Sequence, residues 1–557
     1  MNRTEVRKTL DRIAIEVDAI ADPHIAATQK MLLNLVEVLF DANAVLHEEN
    51  RKLKDEINRL KGEKGQPGFR AQKSGDSNTN HSSENDRKNR GGKPPRKSKM
   101  KKSHMVKIDR RVDCEMDPSI LPLDAVFKGY ETRIFQDIKI GTDNVEFSLP
   151  VYYSPSLNKT FMAPLPSGYY GEFGPGVRSL IITLYRDSGM TQPAIARFLK
   201  IFAIHISGST ISNMITENHD VFHAEKEAIV TAGLKANLYQ HLDDTGSRVN
   251  GKNHYTHILC NPYFTAFFTR PHKDRLTLLD ILCRDNLQFE LSDESYTMMT
   301  ELGLSEKQLT ELKKIAPKKL IVKSEMKGIL QQLFPNPHKH IGSRNIIREA
   351  AGLVYYRKSE YAIKHLICDD AKQFNKIAEY KSLCWVHEGR HYKKLNPLIM
   401  MHRNILDNFI NDFWDYYDEL LGYRANPSEK LATELSTKFD ILFSKKTGYD
   451  ALDERIVSTF IKKESLLLVL TFPFLELHNN SAELGARVQA RMRDINLQTI
   501  SVNGTKSKDT FATIVQTAKK IGVNIYDFIY DRVSKTFEMP SLADVIIEKS
   551  ALANSQP

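Results

Sequence analysis

The sequence predicts an α/β fold whose core is a sheet flanked by helices, and three observations carry this prediction. Three short strands are expected in succession over 238–269, because Asn250-Gly251 is a strong signal for a hairpin turn. A helix follows them. Residues 362–368 then form an apolar run, predicted to be a fourth strand, that ends at Asp369. A coiled coil, a small β-rich module and a helix-turn-helix-like module are expected to precede this core, which would carry helical inserts.

The N-terminal residues 1–63 have the pattern of a coiled coil. Leucine recurs every seven residues, at Leu32, Leu39, Leu46, Leu53 and Leu60. With these at d, two of the a positions are Asn43 and Asn50, and a buried Asn at a favours two strands in a fixed register. We therefore predict a first domain at 1–63 and a homodimer through the coiled coil 24–63. The alternative is an amphipathic helix packed against its own protein.

A basic segment follows at 64–104. The chain has a formal net charge of +10, and nine Lys or Arg with no acidic residue lie between Arg87 and Lys102. The segment is nearly free of large apolar side chains and cannot bury a core, so we expect a disordered linker. It is either a solvated tether or an arm that contacts DNA phosphates.

Composition argues against a disulfide scaffold and against a membrane-spanning protein. The five cysteines are scattered without a Cys-x-x-Cys pair, so we expect a reducing compartment rather than a disulfide scaffold. The first residues lack an apolar signal core, and the longest apolar run, 466–475, is too short to span a bilayer. We expect a cytoplasmic protein without a membrane partner.

Two further modules are predicted before the sheet. Residues 105–172 have short apolar stretches between Pro, Gly and Asn, as in a small β-rich module. Residues 173–232 are predicted to be helical, with one helix opening at Thr191 and another capped at Ser207. The pair is typical of a helix-turn-helix, although plain helical packing is the alternative. The residues expected to face the DNA groove are Ser209, Thr210 and Asn213.

Three acidic residues lie in separate motifs of the last domain, 233–557. Asp243 falls inside the first predicted strand of the sheet, and Asp369 ends the fourth. A ribonuclease-H-like fold has this order of elements: an antiparallel meander, then a helix, then a strand that ends in Asp. In that fold these two carboxylates lie side by side. Glu483 follows a good N-cap cluster at 479–481 and would lie in the first turn of a helix that crosses the sheet. A purely capping role is its alternative.

This trio can hold two divalent cations, which can clamp the attacking and leaving oxygens of a phosphodiester. Arg487 would lie one turn beyond Glu483, on the same face of the helix. Both Asp motifs are doublets, at 243–244 and 369–370, and strand alternation lets only one member of each face the site. We assign the first member of each doublet to the site.

A helix is predicted from about 373 through Cys384, His387 and His391. Their spacing of i, i+3 and i+7 is compatible with zinc, but no fourth ligand is evident and we predict no zinc site. A contact from His387 or Arg390 to a phosphate is preferred over zinc binding, and a purely structural helix is preferred over both.

The spacing of the motifs predicts two helical inserts. Far more residues separate the two Asp motifs than the remaining strand and helix need, so a polar, helical insert outside the core is expected at about 297–345. A second insert is expected at about 392–477. Its aromatic residues recur near helical spacing between 409 and 421, and we expect them to pack the insert itself.

Three motifs follow one another along the chain. They are Asp-Asp-Thr-Gly-Ser-Arg-Val-Asn-Gly-Lys-Asn-His at 243–254, Cys-Trp-Val-His-Glu-Gly-Arg at 384–390 and His-Asn-Asn-Ser-Ala-Glu at 478–483. In this order they resemble the motifs of bacterial insertion-sequence-66-type DDE transposases. The resemblance extends to the zipper and to Phe-Gly-Pro-Gly-Val at 173–177. The usual Asp-Glu-Thr reads Asp-Asp-Thr here, and of the Cys-rich zinc segment that many relatives carry after the coiled coil only Cys114 is present.

The resemblance implies a ribonuclease-H-like core that cleaves and joins double-stranded DNA at the element's terminal inverted repeats and at the target. It implies two Mg²⁺ or Mn²⁺ ions held by Asp243, Asp369 and Glu483. It also allows element-encoded accessory proteins as partners, and it implies a location in the bacterial cytoplasm with the nucleoid. Two other interpretations stay open: a catalytically inactive dimeric DNA-binding regulator, and a metal-dependent nuclease without strand transfer.

Overall fold

A computed structural model describes residues 3–18, 20, 22–60, 108–112, 130, 133–135, 138, 141–316, 318–336 and 338–554. The linker predicted at 64–104 lies outside the described residues, and so do Cys114 and much of the predicted β-rich module. The described part is mixed α/β, which confirms the fold class at that level. None of the helices described is both long and apolar enough to cross a bilayer.

Two helices, α1 (Arg3–Asp18) and α2 (Pro23–Leu60), come first. One face of α2 packs against the protein itself. The buried carboxylate of Glu37 accepts main-chain N–H groups from Leu398 and Ile399, each at 2.7 Å. The packed helix of the alternative interpretation is therefore present.

The heptad leucines of α2 lie on another face of the same helix. Each of those whose side chain is described is more than half exposed: Leu32, Leu39, Leu46 and Leu53. These four residues, called the zipper stripe below, are thus left uncovered by the part of the chain that the structure describes. Self-packing and a dimer through this stripe are compatible, because they use different faces of α2.

A short hairpin of β1 (Val151–Ser154) and β2 (Lys159–Met162) precedes a group of four helices. The helices are α3 (Pro175–Arg186), α4 (Gln192–Ile201), α5 (Gly208–Thr216) and α6 (Asp220–Lys235). Both predicted caps are confirmed. The side chain of Thr191 accepts the N–H of Ala194, and that of Ser207 accepts the N–H of Thr210. Helices α4 and α5 thus begin at the residues that the sequence indicates.

The central sheet has five strands in the order β5-β4-β3-β8-β9. The strands that follow β2 in the described chain are β3 (Tyr239–Val249), β4 (Lys252–Cys260), β5 (Thr265–Arg270), β6 (Phe289–Leu291), β7 (Lys319–Ile321), β8 (His365–Cys368) and β9 (Tyr380–Leu383). The predicted meander is confirmed, since β3, β4 and β5 are antiparallel neighbours. Asn250 and Gly251 have φ angles of 46° and 73°, the left-handed backbone of a tight hairpin turn. Strands β6 and β7 pair separately.

Strand β8 lies parallel to β3 in the middle of the sheet. His241 lies opposite Ile367 in the register. Two residues further along each strand, the chain therefore reaches Asp243 and Asp369. The predicted fourth strand is confirmed but shorter than expected, because β8 begins at His365.

The helix predicted from about 373 through 391 is wrong. A single 3-10 turn, Lys372–Phe374, is followed by β9, and the helix begins only at Trp385. The segment Tyr-Lys-Ser-Leu lacks the clear alternation that marks a strand in sequence. It is extended because its main chain pairs in parallel with β8, a contact that no local pattern reveals.

The helices described between β5 and β8 are α7 (Arg275–Leu282), α8 (Asp293–Glu301), α9 (Glu306–Ile315), α10 (Lys323–Leu333) and α11 (Ile341–Arg357). The insert predicted at 297–345 is largely helical, with β7 as an added strand. It was expected outside the core. However, its buried Leu312 and Met326 belong to the same apolar cluster as Leu242 of the sheet, so the insert packs onto the core.

The second insert is helical, as predicted. Helix α12 (Trp385–Lys393) precedes it, and the insert itself holds α13 (Met400–Ala425), α14 (Glu429–Phe443), α15 (Asp450–Phe460), α16 (Lys463–Leu466) and α17 (Leu468–Thr471). The aromatic residues of α13 pack the insert as expected. Phe413 and Tyr416 surround the fully buried Trp385, with ring centroids 5.5 and 5.6 Å from its ring.

Four helices complete the described chain: α18 (Asn480–Asn496), α19 (Val502–Ile521), α20 (Ile525–Ser534) and α21 (Leu542–Asn554). Helix α18 crosses the sheet at close range. A Cβ on Gly485 would lie 2.8 Å from Ile258 of β4, so glycine allows the approach. Glu483 lies in the first turn of α18, as predicted.

Candidate metal centre

Asp243 and Asp369 extend from neighbouring parallel strands and are both half-buried. The main chain holds one oxygen of each carboxylate. The N–H of Asp244 donates to Oδ1 of Asp243 at 2.8 Å, and the N–H of Ala371 donates to Oδ1 of Asp369 at 3.1 Å. These bonds fix the orientation of both carboxylates, and the charge of Asp369 acts on Asp243, so two of the three predicted acids lie within electrostatic range of each other.

The second member of each Asp doublet is engaged by other side chains. Oδ2 of Asp244 accepts a hydrogen bond from Gln373 at 2.6 Å, and its Oδ1 lies 3.6 Å from Nζ of Lys273. Asp370 is exposed and lies 2.8 Å from Nζ of Lys462. Because both are paired with lysine, their charges are partly neutralised without any metal. This arrangement supports the assignment of the first member of each doublet to the site.

The electrostatics of the Asp pair favour a bound cation. Burial, and after it the negative charge of Asp369, raise the pKa of Asp243 to about 8. Burial also raises the pKa of Asp369, and the charges of Asp244 and Asp370 add to the effect. Carboxylates that repel one another away from water take up either a proton or a cation. Asp243 and Asp369 are therefore residues that could hold a divalent cation.

Glu483, the third predicted acid, has partners of its own in this structure. Its Oε2 lies 3.1 Å from Nη2 of Arg390, and its Oε1 lies 3.5 Å from Nδ1 of His387. The sequence predicted phosphate contacts for both of these residues. The charge of Glu483 still contributes to the raised pKa of Asp243, so the carboxylates lie within electrostatic range of each other.

A different set of ligand atoms is gathered more tightly. One atom each from Cys384, His387 and Glu483 lie within 4.8 Å of one another. No other group of three or more His, Cys, Asp or Glu in the described part of the chain meets this spacing, so Asp243 and Asp369 do not join it. The spacing in sequence groups Cys384 and His387 with His391, whereas the structure groups them with Glu483.

The environment of Cys384 is apolar and acidic. Burial, followed by the charge of Glu483, raises the pKa of the thiol to about 12. The N–H of Asn479 donates to its sulfur at 3.2 Å. Cys384 is the N-cap of α12 and lies outside the helix, so the prediction that Cys384, His387 and His391 all lie on one helix is wrong.

Asn479 is a site residue whose role the sequence did not indicate. Its side chain was expected to cap α18, but it makes no capping hydrogen bond. It is fully buried, and its amide donates to the main-chain oxygen of Leu242 at 2.9 Å. Its Oδ1 lies 2.9 Å from Nδ1 of His241. Asn479 thus ties the start of α18 to the strand that carries Asp243. One feature of the sequence could have indicated this role. The run His-Asn-Asn before Glu483 has more polar residues than an N-cap needs.

The other predicted DNA contacts lie on two helices. Ser209 and Asn213 are exposed on α5, and Thr210 is half-buried there. The hydroxyls of Ser209 and Thr210 each lie 2.8 Å from that of Ser207, so both are engaged at the start of the helix. Arg487 is half-buried in α18.

Comparison with known proteins gives one similarity. No family model matches the chain. The chain is similar to y4jO of Sinorhizobium fredii (strain NBRC 101917 / NGR234), a protein described as uncharacterized, with 26% identity over 310 residues. The similar stretch covers 54% of this chain and 94% of that relative. Nearly the whole relative thus corresponds to about half of this chain.

Proposed function

We propose that this protein is a metal-dependent DNA transposase of the DDE type with a ribonuclease-H-like core. The observation that carries the proposal is the pairing of Asp243 with Asp369. Two half-buried carboxylates on adjacent parallel strands repel each other, and a cation relieves that repulsion. Hard oxygen ligands of this kind suit Mg²⁺ or Mn²⁺. The substrate would be double-stranded DNA, both the element ends and the target.

The order of the sheet supports the ribonuclease-H-like part of the proposal. An antiparallel meander of β5, β4 and β3 is followed by the parallel strands β8 and β9. This is the element order expected of that fold. The acids come from β3, from the end of β8 and from a helix that crosses β4. The carboxyl end of a parallel strand is also where α/β sheets place their ligands.

Asp243 and Asp369 are proposed to share two metal ions, with Glu483 as the third ligand. Two such ions would lower the pKa of the attacking water or 3′-hydroxyl and stabilise the leaving 3′-oxygen. The protein's contribution is orientation. The N–H groups of Asp244 and Ala371 each hold one oxygen of the Asp pair, so the carboxylates need little rearrangement when the ions bind.

Glu483 has to exchange partners before it can bind a metal ion. It is paired with Arg390 and lies close to His387. A DNA phosphate that draws Arg390 away would release the carboxylate, so DNA binding and metal binding would be coupled. Arg487, on the same helix, is proposed as a further phosphate contact.

Recruitment of the DNA ends is assigned to other parts of the chain. The helical module would bind the terminal repeats through the start of α5, with Ser209, Thr210 and Asn213 as contacts. The zipper stripe would join two chains and bring two ends together. The basic linker at 64–104 would add phosphate contacts. Element-encoded accessory proteins and a nucleoid location belong to the same proposal.

The test incubates the purified full chain with Mg²⁺ and labelled DNA that carries the element ends. Joined products support the transposase. Cleavage without joining supports the nuclease. Binding with neither reaction, unchanged in a Glu483→Gln variant, supports the inactive regulator.

The Glu483→Gln variant should bind DNA nearly normally and lose about 10³-fold in rate, because a lost metal ligand removes several kcal/mol of transition-state stabilisation. The matched control is Glu429→Gln. Glu429 also lies in the first turn of a helix, α14, but it is exposed. The control should change neither binding nor rate.

A further inference from the structure

Cys384, His387 and Glu483 form a cluster, called the Cys384 cluster below, that combines a sulfur, a nitrogen and an oxygen ligand. One such atom from each residue lies within 4.8 Å of the others. Cys384 is 2% exposed and Glu483 8% exposed, so the cluster is largely withdrawn from water. Nδ1 of His387 is buried, has no hydrogen bond, and lies 3.5 Å from Oε1 of Glu483.

The chemistry of this ligand set differs from that of the Asp pair. Thiolate and imidazole are ligands of Zn²⁺ and of other borderline or soft ions, whereas Mg²⁺ prefers oxygen. The sulfur of Cys384 lies at the start of α12. It accepts the N–H of Asn479, and the N–H groups of Val386 and His387 are also directed to it. Donors arranged in this way stabilise a thiolate once a metal ion is bound.

Arg390 competes for two of the three ligands. Its Nη1 lies 3.2 Å from Nε2 of His387, and its Nη2 lies 3.1 Å from Oε2 of Glu483. A guanidinium group only donates, so Nε2 accepts and the proton of the neutral imidazole is on Nδ1. A metal ion at Nδ1 therefore requires the proton to move to Nε2 and Arg390 to turn away.

We propose that the Cys384 cluster is a Zn²⁺ site, with three protein ligands and a water in the fourth position. On binding, the thiol proton of Cys384 passes to solvent and the sulfur takes the metal. Because Glu483 is then committed to Zn²⁺, it is withdrawn from the Asp pair, and DNA cleavage and joining stop. The site stands on its geometry alone, whereas the inhibition rests on the proposed transposase function.

Binding is tested by titrating the metal-free full chain with Co²⁺, which substitutes for Zn²⁺ and absorbs light through its thiolate bond. We expect one equivalent of Co²⁺ to give this charge-transfer absorption, and Zn²⁺ to abolish it. Cys384→Ser should remove the absorption. The matched control is Cys283→Ser, at another buried cysteine, which should keep it. No absorption, or equal absorption in Cys384→Ser, would overturn the site.

Two further variants keep the thiol of Cys384, so they test the site even if Cys384→Ser fails to fold. His387→Gln should weaken Co²⁺ binding at least about tenfold through the loss of one ligand. Arg390→Gln should strengthen it, since the competing cation is gone. An affinity unchanged by both substitutions would show that the metal is held elsewhere.

The inhibitory consequence is measured separately. In the Mg²⁺-dependent joining assay, the Zn²⁺ concentration for half-inhibition is compared between wild type and Cys384→Ser, each relative to its own Zn²⁺-free rate. We expect the variant to need at least about tenfold more Zn²⁺. Equal inhibition would overturn this consequence. If the chain joins no DNA at all, the transposase proposal fails while the Co²⁺ titration still decides the metal site.

Discussion

The side-chain amide of Asn479 donates to the main-chain oxygen of Leu242 at 2.9 Å. Leu242 directly precedes Asp243. The main-chain oxygen of Asn479 in turn accepts the N–H of Glu483 at 3.1 Å. One buried residue thus connects the strand that carries the first acid with the helix that carries the third. It sets the position of α18 relative to β3 independently of any metal ion.

Removal of this connection should impair catalysis more than DNA binding. We expect Asn479→Ala to lower the rate of DNA joining at saturating DNA while the affinity for DNA changes little. The variant removes the hydrogen bonds of Asn479 to the carbonyl of Leu242 and to Nδ1 of His241, so the free energy of unfolding should fall by about 1–3 kcal/mol. Joining kinetics and chemical denaturation measure the two effects.

Asn261→Ala provides the matched control for Asn479. Asn261 is also fully buried, and its amide donates to the carbonyl oxygen of Gly233 at 2.8 Å and to Oε1 of Gln240 at 3.2 Å, neither of which belongs to α18. A similar loss of stability with a much smaller loss of rate is expected. If both variants lose rate in proportion to stability, Asn479 has only a structural role.

The two members of an Asp doublet should respond differently to substitution, because only the first is assigned to the metal site. Asp369→Asn should abolish Mg²⁺-dependent joining, because it removes a ligand of the proposed ions. Asp370→Asn should leave the rate within about tenfold of wild type, since Asp370 is exposed and paired with Lys462, and the loss of a surface ion pair costs about 1 kcal/mol or less. Rates measured side by side decide the assignment, and a reversed order would contradict it.

The positions of Asp243 and Asp369 in the sheet could be predicted from the sequence, whereas the partners of Glu483 could not. Asp243 and Asp369 were placed correctly because each position follows from a local pattern, a hairpin signal in one case and an apolar run in the other. The partners of Glu483 could not be predicted, since Arg390 lies 93 residues away in the chain and meets it only after two elements have packed. Strand β9 was not predicted for the same reason, since its residues are extended only because they pair with β8.

The same limit applies to α2. Its seven-residue repeat was visible in sequence, and so was the choice between a zipper and a helix packed on its own protein. The sequence did not show that one face packs on the protein while the leucines of the zipper stripe stay exposed. The contact of Glu37 with the main chain of Leu398 joins residues 361 positions apart.

The raised pKa of Asp243 predicts a pH-dependent stability in the absence of metal. Burial and the charge of Asp369 raise this pKa to about 8, so the folded state binds the proton more tightly than the unfolded state. Its stabilising contribution is complete below the ordinary aspartate pKa and is lost as pH rises to about 8. Metal-free wild type should therefore lose stability relative to Asp243→Asn across this range.

Thermal unfolding in a chelator measures this effect. At pH 9 the Asp243→Asn variant should be more stable than wild type by about 0.5–2 kcal/mol, because a repelled carboxylate is gone. Added Mg²⁺ should stabilise wild type and not the variant. Parallel pH profiles for the two proteins would show that Asp243 titrates normally.

The zipper stripe predicts a dimer that a single charge can disrupt. Leu46→Lys should convert the full chain to a monomer, because it places a lysine at the centre of the heptad seam. Val45→Lys is the matched control. Val45 is as exposed as Leu46 but lies off the stripe, so it should remain dimeric. Light scattering at several protein concentrations measures the molecular mass of wild type and of both variants. A monomeric wild type would refute the zipper.

The most direct test of the central claim locates Mn²⁺ by anomalous X-ray scattering in crystals of the full chain with DNA carrying the element ends. We predict two peaks at the Asp pair, with oxygens of Asp243, Asp369 and Glu483 at about 2 Å from the ions. Both peaks should vanish in Asp243→Asn crystals. Manganese bound away from the Asp pair, or peaks unchanged in the variant, would contradict the proposed function.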